Sequence, residues 1–404
     1  MFQLSTTKTD DMNSLLTHLE CTVCGDRHSP HDLQTVCRSC GKALSARYDL
    51  VKGKQIVSRE WFQSASSSFW NYAMFLPVEK AENVVSLGES VTPVLRLMSL
   101  EKTLGLTRVF IKDEGHLPTG SFKARGLAMA VSKAKELGVT SVCIPSAGNA
   151  AGALAAYAAR AGMEAHIFIP EDTPEINVAE CRATGAVVEL VRGTIADAAG
   201  LMNQQKKNHP DWFDVSTLKE PYRLEGKKTM GYEIAVQFDW KLPDVILYPA
   251  GGGTGLIGMW KAFWELETLG LIGKERPRMV AVQSDGCAPI VKAFEQQQKE
   301  SQPWVNAQTI ASGLRVPKAF ADYMILDALY ASKGHAVAVR DDEIRQAVAS
   351  VARDEGLYCC PEGAATVVAL RKLVQRSLVR QGETVLLFNT AAGNKYPEIM
   401  VKQP

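Results

Sequence analysis

A lysine at the start of a predicted helix is the first residue of this sequence that suggests chemistry. Lys123 lies in the stretch PTGSFKARG (residues 118–126), where Pro and Gly interrupt the chain and Ser121 is a favourable helix cap. The residues that follow predict an amphipathic helix ending near Gly138, so Lys123 falls in its first turn. A cation at the positive end of a helix dipole costs about 0.3–1 kcal/mol. We therefore expect a chemical reason for this lysine.

Three loops rich in glycine or small polar residues follow apolar segments that predict buried strands. Their sequences are PSAGNAAG, PAGGGTGLIG and NTAAGNK. The second leads directly into a predicted helix, and its bare backbone N–H groups can approach an anion with the help of the helix dipole. It is not a Walker loop, because no Gly-Lys-Ser/Thr follows. We interpret it as a phosphate cup, which consists of Gly251, Gly252, Gly253, Thr254 and Gly255.

A phosphate cup together with a reactive lysine meets the two main needs of pyridoxal 5′-phosphate. A lysine near a helix N-terminus and away from water has a lowered pKa and offers a neutral amine. The cup would anchor the phosphate of the cofactor, and Lys123 would form the Schiff base. The alternative is an ordinary surface lysine with a hydrated head group. The dipole clash and the neighbouring glycine loops count against that alternative.

The same glycine-rich loop permits a second interpretation. Gly253, Gly255 and Gly258 form a GxGxxG pattern, and Asp285 follows the next apolar segment. Such a pattern is typical of a dinucleotide-binding loop in an NAD-dependent oxidoreductase. Four glycines within five residues nevertheless suit a single phosphate better, and a lone GxGxxG is a weak signal. A tight turn that packs a helix on its strand is the structural alternative.

Four cysteines near the N-terminus have the spacing of a metal site. Cys21, Cys24, Cys37 and Cys40 form C-x2-C-x12-C-x2-C, with a glycine directly after each pair. Four thiolates complete a tetrahedral zinc site and leave no open position for a substrate, so the predicted role is structural. The alternative is that the two C-x2-C pairs occur by chance. A redox role is less favoured, because a redox C-x-x-C would lie beside a strand–helix unit and this segment does not.

Composition excludes several classes of function. The chain has 404 residues, with 45 Lys and Arg against 44 Asp and Glu, and a formal net charge of +1. This balance predicts no binding to nucleic acid or to a membrane surface. Without a long apolar run or an N-terminal signal-like segment, we expect a cytoplasmic protein, and nine cysteines fit that compartment as metal ligands or buried thiols.

The order of apolar and helical segments predicts an α/β fold. Runs that are apolar throughout and separated by helices are typical of buried parallel strands. Ligands of such sheets gather at the carboxyl ends of the strands, where the three loops lie. The strand candidates are RVFIK, SVCI, HIFIP, VVELV, DVILYP, MVAVQ, AVAV and TVLLFNT.

Several motifs in the same order resemble a known family. DEGHLPTGSFKARG, PSAGNAAGALAAYAARAG, EPYRLEGKKTMGYEI, PAGGGTG and NTAAGNK resemble the threonine synthases and, more broadly, the fold-type II, tryptophan-synthase-β-like pyridoxal phosphate enzymes. The resemblance runs from about residue 85 to the C-terminus, and some members also carry a cysteine-rich N-terminal extension. It implies two parallel-sheet α/β domains with a zinc-ribbon-like module. The domains would be residues 16–50 for the module, 51–123 with 230–404 for the large cofactor-binding domain, and 124–229 for the small domain.

The resemblance also assigns roles to residues. Lys123 would be the Schiff-base lysine and, once released, the base that moves protons. Asn149 would bind the ring hydroxyl of the cofactor, and Thr390 its pyridine nitrogen. The substrate carboxylate would be held by the SAGN loop, through Ser146 and the backbone at Gly148. The substrate is then a small amino acid, and we expect a homodimer.

Departures from the family pattern concern the substrate more than the cofactor. Ala124 stands where members that use O-phosphohomoserine commonly have Asp, and alanine stands at position 147 or 150 where threonine is frequent. Thr217 stands where an asparagine helps to bind the substrate phosphate. Arg223 is retained as a planar clamp for phosphate or carboxylate.

The residues and the resemblance together suggest four functions, in decreasing order of support. The first is a threonine synthase that converts O-phosphohomoserine and water to L-threonine and phosphate. The second keeps the cofactor but performs β-elimination or β-replacement on an unphosphorylated hydroxy-amino acid such as threonine or serine. The third is the NAD-dependent oxidoreductase, and the fourth is a non-enzymatic zinc-ribbon interaction protein. The fourth would leave the lysine and the three loops without a purpose.

Overall fold

The computed structural model describes residues 11–65 and 67–400, and within this part of the chain the strands form three sheets. All eight apolar segments proposed as strands are strands of the parallel sheets, so the α/β prediction is confirmed. The strands are β1 (Leu16–Cys21), β2 (Arg27–His28), β3 (Leu44–Tyr48), β4 (Val94–Arg96), β5 (Arg108–Asp113), β6 (Ser141–Pro145), β7 (Glu164–Pro170), β8 (Val187–Val191), β9 (Trp212–Asp214), β10 (Val245–Pro249), β11 (Arg278–Ser284), β12 (His335–Val339) and β13 (Thr384–Asn389).

Helices cover the two parallel sheets and supply the connections that parallel strands require. They are α1 (Leu50–Ile56), α2 (Arg59–Ser64), α3 (Met98–Leu104), α4 (Lys123–Glu136), α5 (Asn149–Ala161), α6 (Glu175–Ala183), α7 (Ile195–Lys206), α8 (Tyr222–Gln237), α9 (Thr254–Thr268), α10 (Pro289–Glu295), α11 (Asp322–Ala331), α12 (Asp341–Glu355), α13 (Pro361–Gln375) and α14 (Pro397–Met400).

The larger sheet has six strands in the order β12-β11-β10-β13-β5-β4, and only the short edge strand β4 is antiparallel. Its central strands are apolar on both faces, because helices pack on either side. The order places the carboxyl ends of β10, β13 and β5 side by side. The phosphate cup, the loop containing Thr390 and the segment leading to Lys123 therefore emerge at one edge of this sheet.

The smaller sheet has four parallel strands in the order β8-β7-β6-β9. Its strands all lie within residues 124–229, and those of the six-stranded sheet lie outside that range. The three strands β2-β1-β3 form a separate antiparallel sheet around the paired cysteines. The division into three domains that we predicted stays a prediction, although each sheet falls within one of its ranges.

Glycines allow α4, α8 and α9 to pack closely beside the loops of the six-stranded sheet. A Cβ at Gly226 would overlap the backbone carbonyl of Arg125, and one at Gly231 would lie 2.5 Å from the Cβ of Ala262. Neither contact can relax by moving a flexible side chain, so a larger residue would push the helices apart. This packing holds α8 closely against both α4 and α9.

The segment between the cysteines and the sheets is more regular than its sequence suggested. The aromatic sequence EWFQSASSSFWNYAMFLP (residues 60–77) predicts an irregular connecting arm packed on the main body, but part of it is the helix α2, and Phe69–Phe75 is 3-10 helical. Its aromatic rings, such as Phe62 and Phe75, are fully buried against Tyr232 of α8.

Among the described residues, none of the helices is both long enough and apolar enough to cross a bilayer.

Candidate active site

Lys123 is the first residue of α4, as the sequence predicts, but the predicted cap is wrong. Phe122 occupies the N-cap position, and the hydroxyl of Ser121 is buried without a hydrogen-bond partner in the described structure. The reason is that the backbone of Ser121 pairs with Ala391. Two backbone hydrogen bonds flank this pair, from the N–H of Phe122 to the oxygen of Thr390 at 3.0 Å and from the N–H of Ala392 to the oxygen of Gly120 at 2.9 Å. Lys123 is thus held against the loop that contains Thr390.

The amine of Lys123 lies in a desolvated and electropositive environment. Its Nζ atom is 4.4 Å from the centroid of the Phe122 ring. Burial, followed by the positive charge of Arg223, lowers the pKa of Lys123 to about 8, with Glu362 acting in the opposite direction. A lysine with this pKa has a substantial neutral fraction near neutral pH, which a nucleophilic or basic amine needs.

A buried ionic network fixes the helix that carries Lys123. Arg125 is fully buried two residues further on and donates to Glu114 at 2.6 Å and to Glu233 of α8 at 2.8 Å. Lys112 of β5 completes the network with a 2.8 Å ion pair to Glu233. Each charge has an opposite partner, so burial is compensated by charge-assisted hydrogen bonds.

The glycine loop after β10 has the geometry of an anion cup. Gly253 has a φ of 70° and is the N-cap of α9, and no side chain caps this helix end among the described residues. Its first N–H groups are therefore free to bind an anion. A Cβ at Gly251 would overlap the carbonyl of Gly313, and one at Gly252 would lie 2.9 Å from the Cγ2 of Thr217. The loop needs glycine because its backbone is approached so closely.

The cup and the lysine are linked through two aromatic rings. The Phe122 ring packs edge to face on the Tyr248 ring, with centroids 6.0 Å apart. Tyr248 lies on β10, and its hydroxyl occupies the space where a side chain at position 255 would be. The interpretation of a phosphate cup next to a reactive lysine therefore has a spatial basis.

The two other predicted cofactor contacts lie on loops that meet this region. Thr390 follows β13 directly and is buried, with its Oγ1 atom 3.7 Å from the sulfur of Cys360. Asn149 begins α5, and its Nδ2 atom donates to the hydroxyl of Tyr396 at 2.9 Å. Through Tyr396 the SAGN loop contacts the segment that follows Thr390. The side chain of Ser146 lies 3.4 Å from the backbone of Gly148, and this loop is half-buried.

Arg223 lies in the first turn of α8 and is 1 % exposed. Its Nη1 atom donates to the carbonyl of Val215 at 2.7 Å, while its Nε atom makes no hydrogen bond in the described structure. Glu220 accepts hydrogen bonds from the backbone N–H groups at the start of α8. Burial raises the pKa of Glu220 to about 7, against the effect of Arg223. Arg223 thus has no strong carboxylate partner.

Three residues that the sequence did not identify border the same site. Lys227 is one turn after Arg223 on α8, and the i, i+4 spacing of these cations could have indicated it. Glu362 is the second residue of α13, where an acidic residue is ordinary, and Tyr396 has no distinctive sequence signal. In the structure an oxygen of Glu362 accepts from the N–H of Gly313 at 2.7 Å. We refer to Lys123, Arg223 and Lys227 as the cation cluster.

The four N-terminal cysteines converge as their spacing predicts. Their sulfur atoms all lie within 4.8 Å of one another, including 3.4 Å from Cys21 to Cys40 and 3.6 Å from Cys24 to Cys37. A tetrahedral zinc site with Zn–S bonds of about 2.3 Å has sulfur separations of about 3.8 Å. The glycine after each pair has a positive φ, 74° at Gly25 and 69° at Gly41, which closes both loops. The set therefore fits a zinc ion.

Comparisons with known proteins identify the family. Residues 85–391 match the family described as pyridoxal-phosphate dependent enzyme. A threonine synthase of Methanocaldococcus jannaschii is 36% identical over 383 residues, covering 95% of this chain and 94% of the relative. One of Methanosarcina acetivorans is 35% identical over 385 residues, covering 95% and 93%. This chain belongs to the threonine synthase group of the pyridoxal-phosphate dependent enzymes.

A solved structure with a similar fold is threonine deaminase isoform 2 from Solanum lycopersicum. It aligns with a TM-score of 0.65 at 21% identity, covering 77% of this chain and 84% of that chain. At this identity the likeness supports the fold-type II architecture and carries no information about the substrate. The family match favours pyridoxal phosphate over the NAD-dependent alternative.

Proposed function

We propose that this protein is a threonine synthase that converts O-phosphohomoserine and water to L-threonine and phosphate. The observation that carries the proposal is the cation cluster, which lies beside an uncapped glycine cup. A site that must hold the phosphate of a cofactor and the phosphate of a substrate needs more positive charge than an unphosphorylated amino acid would require. The similarity to threonine synthases along 95% of the chain supports the same conclusion.

The residues present fit pyridoxal phosphate. The cup offers free N–H groups in a space that side chains would fill, and the amine of Lys123 is desolvated. When bound, the cofactor withdraws electrons from the Cα atom of an amino-acid substrate. Residues 251–255 would hold its phosphate, with Asn149 and Thr390 at its ring hydroxyl and nitrogen. The hydroxyl of Thr390 would leave that nitrogen largely uncharged.

The substrate would be bound by its charged groups. The hydroxyl of Ser146 and the backbone N–H at Gly148 would donate to the carboxylate, and Arg223 would clamp the leaving phosphate with two N–H groups. The Nζ atom of Lys123 would move the proton at Cα, since its pKa of about 8 suits both removal and return of a proton. A proton would also leave Cβ as the bond between Cγ and the phosphate oxygen breaks. Cγ would then take up a proton, water would add at Cβ, and a proton would return to Cα.

Parallel assays of the wild-type enzyme test the proposed substrate. We expect release of inorganic phosphate and formation of L-threonine from O-phosphohomoserine. The rival reaction, elimination from an unphosphorylated hydroxy-amino acid, produces ammonia and 2-oxobutyrate from L-threonine. Robust deamination of threonine with no phosphate released from O-phosphohomoserine would overturn the threonine synthase assignment in favour of the deaminase.

We also propose that Cys21, Cys24, Cys37 and Cys40 bind one structural zinc ion. Four sulfur ligands leave no position for a substrate. Metal analysis should find about one zinc per chain in the wild type and none in a Cys37→Ser variant.

A homodimer and a cytoplasmic location remain predictions. Light scattering of the purified protein tests the predicted homodimer.

A further inference from the structure

Lys227 is a buried lysine for which the described chain supplies no partner. It lies in the second turn of α8, is 0 % exposed, and its Nζ atom makes no hydrogen bond within the described structure. Burying an amine without hydrogen bonds costs free energy, and burying it as a cation costs more. The adjacent Lys228, equally buried, donates to the carbonyl of Phe75 at 2.7 Å and pairs with Glu225 at 2.8 Å. The lack of a partner is thus specific to Lys227.

The surroundings of the Lys227 amine are positive and include the catalytic lysine. Its Nζ atom is 4.7 Å from the centroid of the Phe122 ring, the same ring that Lys123 contacts at 4.4 Å. The amine occupies the space beside Gly126 of α4, where a side chain would collide with it. From α9, Gly258 approaches the backbone and the Cβ of Lys227 rather than its amine. Lys227 therefore points toward α4 and the start of the active site.

The acidic residues near Lys227 are hydrogen-bonded to other groups or have a raised pKa. Glu114 is bound by Arg125, with an Nε–Oε2 distance of 2.6 Å, and by Thr92. Glu220 caps the first turn of α8, and burial raises its pKa to about 7. Burial, Arg223 and Lys123 hold the pKa of Lys227 well below its usual value, against the weaker opposing effects of Glu220 and Glu114. The amine therefore holds its proton less tightly than an exposed lysine does, and a bound anion would strengthen that hold.

We propose that Lys227 is a phosphate-binding residue of this site, and that its amine takes up a proton from solvent when a phosphate monoester or free phosphate binds beside Arg223. The ammonium formed donates to a phosphate oxygen, which supplies the partner that the chain lacks. A dianion offsets the mutual repulsion of Lys227, Arg223 and Lys123 better than a carboxylate does. The inference rests on the proposed function only where the phosphate comes from the substrate; the phosphate of the cofactor is the other source.

Calorimetry of the holoenzyme with inorganic phosphate as the probe tests proton uptake. Titrations near pH 8.5 in two buffers of different ionisation enthalpy give the number of protons bound per phosphate. The wild type should take up more protons than Lys227→Met, by a difference that approaches one. Because the same probe is used, the ionisation of phosphate and of Glu220 contributes to both proteins. Equal proton uptake in the two proteins would overturn the proposal.

Affinities of Lys227→Met distinguish the two sources of phosphate. A loss of roughly ten- to hundred-fold in affinity for inorganic phosphate, with unchanged affinity of the apoenzyme for pyridoxal phosphate, assigns Lys227 to the phosphate of substrate and product. A loss confined to pyridoxal phosphate assigns it to the phosphate of the cofactor. Unchanged affinity for both would overturn the proposal. Lys227→Gln provides a second uncharged variant of similar size.

Stability separates this role from a purely structural one. Lys227→Met should melt at the same temperature as the ligand-free wild type or higher, because it removes an unpaired buried amine. Stabilisation by added phosphate should be smaller in the variant than in the wild type. A variant that melts lower and retains full stabilisation by phosphate would contradict the inference. Failure of the wild type to turn over O-phosphohomoserine, with phosphate binding still dependent on Lys227, would refute only the proposed function.

Discussion

Two clusters of buried charge share helix α8, and they differ in how their charge is balanced. On one side Lys228 and Lys261 pair with Glu225 and Glu265, at distances that include 2.8 Å and 3.1 Å for Lys228. We call these four residues the paired cluster. On the other side the cation cluster contains two lysines and one arginine, and no carboxylate of the described residues forms an ion pair with their side chains.

The paired cluster joins the N-terminal sheet to the body of the protein. The hydroxyl of Tyr48 on β3 donates to Glu225 at 3.0 Å, and Lys261 donates to the carbonyl of Ala46 at 2.6 Å. Burial raises the pKa of Glu225, but the two lysines more than offset it and the net shift is downward. Charges that are balanced within the chain thus hold elements together, whereas charges left unbalanced beside an uncapped helix N-terminus are available to a ligand.

The largest effect is expected for Lys123→Ala. We expect turnover to fall by roughly 1,000-fold or more, because the variant loses both the covalent attachment and the proton transfer. The first turn of a helix tolerates alanine, so the melting temperature should change little. Steady-state kinetics and a thermal melt check both parts. A variant that keeps a tenth of wild-type turnover, a loss of only about 1.4 kcal/mol in barrier, would refute the assigned role.

Lys228→Met should be the most destabilising of the variants on α8. Removing one partner of a buried ion pair leaves carboxylates uncompensated and costs about 3–5 kcal/mol. Lys227→Met, at the preceding residue, is the matched control, and its free energy of unfolding should not fall below that of the wild type. Urea denaturation of both variants measures the contrast. Equal destabilisation of the two would show that the clusters do not differ as described.

Arg223→Ala tests the cation cluster on the substrate side. Charge-assisted hydrogen bonds contribute about 1.5–3 kcal/mol, so turnover of O-phosphohomoserine should fall roughly ten- to hundred-fold. With Thr217 where an amide donor is usual, more of the binding depends on the guanidinium. Arg223→Lys should recover only part of the loss, because lysine lacks the bidentate geometry. Full activity of Arg223→Ala, or loss of cofactor binding with it, would be inconsistent with this role.

The smallest effect is a shift in the pH dependence of cofactor uptake. The reactive form of Lys123 is the neutral amine, which predominates above its pKa of about 8. The rate at which the apoenzyme takes up pyridoxal phosphate should therefore rise with pH and level off above about pH 8. In Arg223→Ala the plateau should move to higher pH, since Arg223 helps to lower that pKa. Absorbance at several pH values follows the uptake. A rate that continues to rise to about pH 10 would indicate an ordinary lysine.

Local signals in the sequence identified most of the elements of the parallel sheets, whereas the roles of the candidate site residues stay predictions. The eight apolar segments were recognisable because strands buried on both faces are apolar throughout, and the cysteine spacing predicted a cluster that the structure contains. The short strands β4 and β9 were missed because three residues carry no usable periodicity. The prediction that Ser121 caps α4 was wrong, because the backbone of Ser121 pairs with Ala391, which is distant in sequence. This pairing overrides the local preference of serine for the N-cap position.

The sequence by itself predicted which residues could carry chemistry, since a lysine at a helix start, a run of glycines and paired cysteines are local patterns with local causes. Only the tertiary structure decided which charges are balanced. Lys227 and Lys228 are neighbours of the same type on the same helix, yet one meets two carboxylates and the other meets two cations. The reason is physical: successive helical residues point about 100° apart, so each depends on a different neighbouring element for its partners.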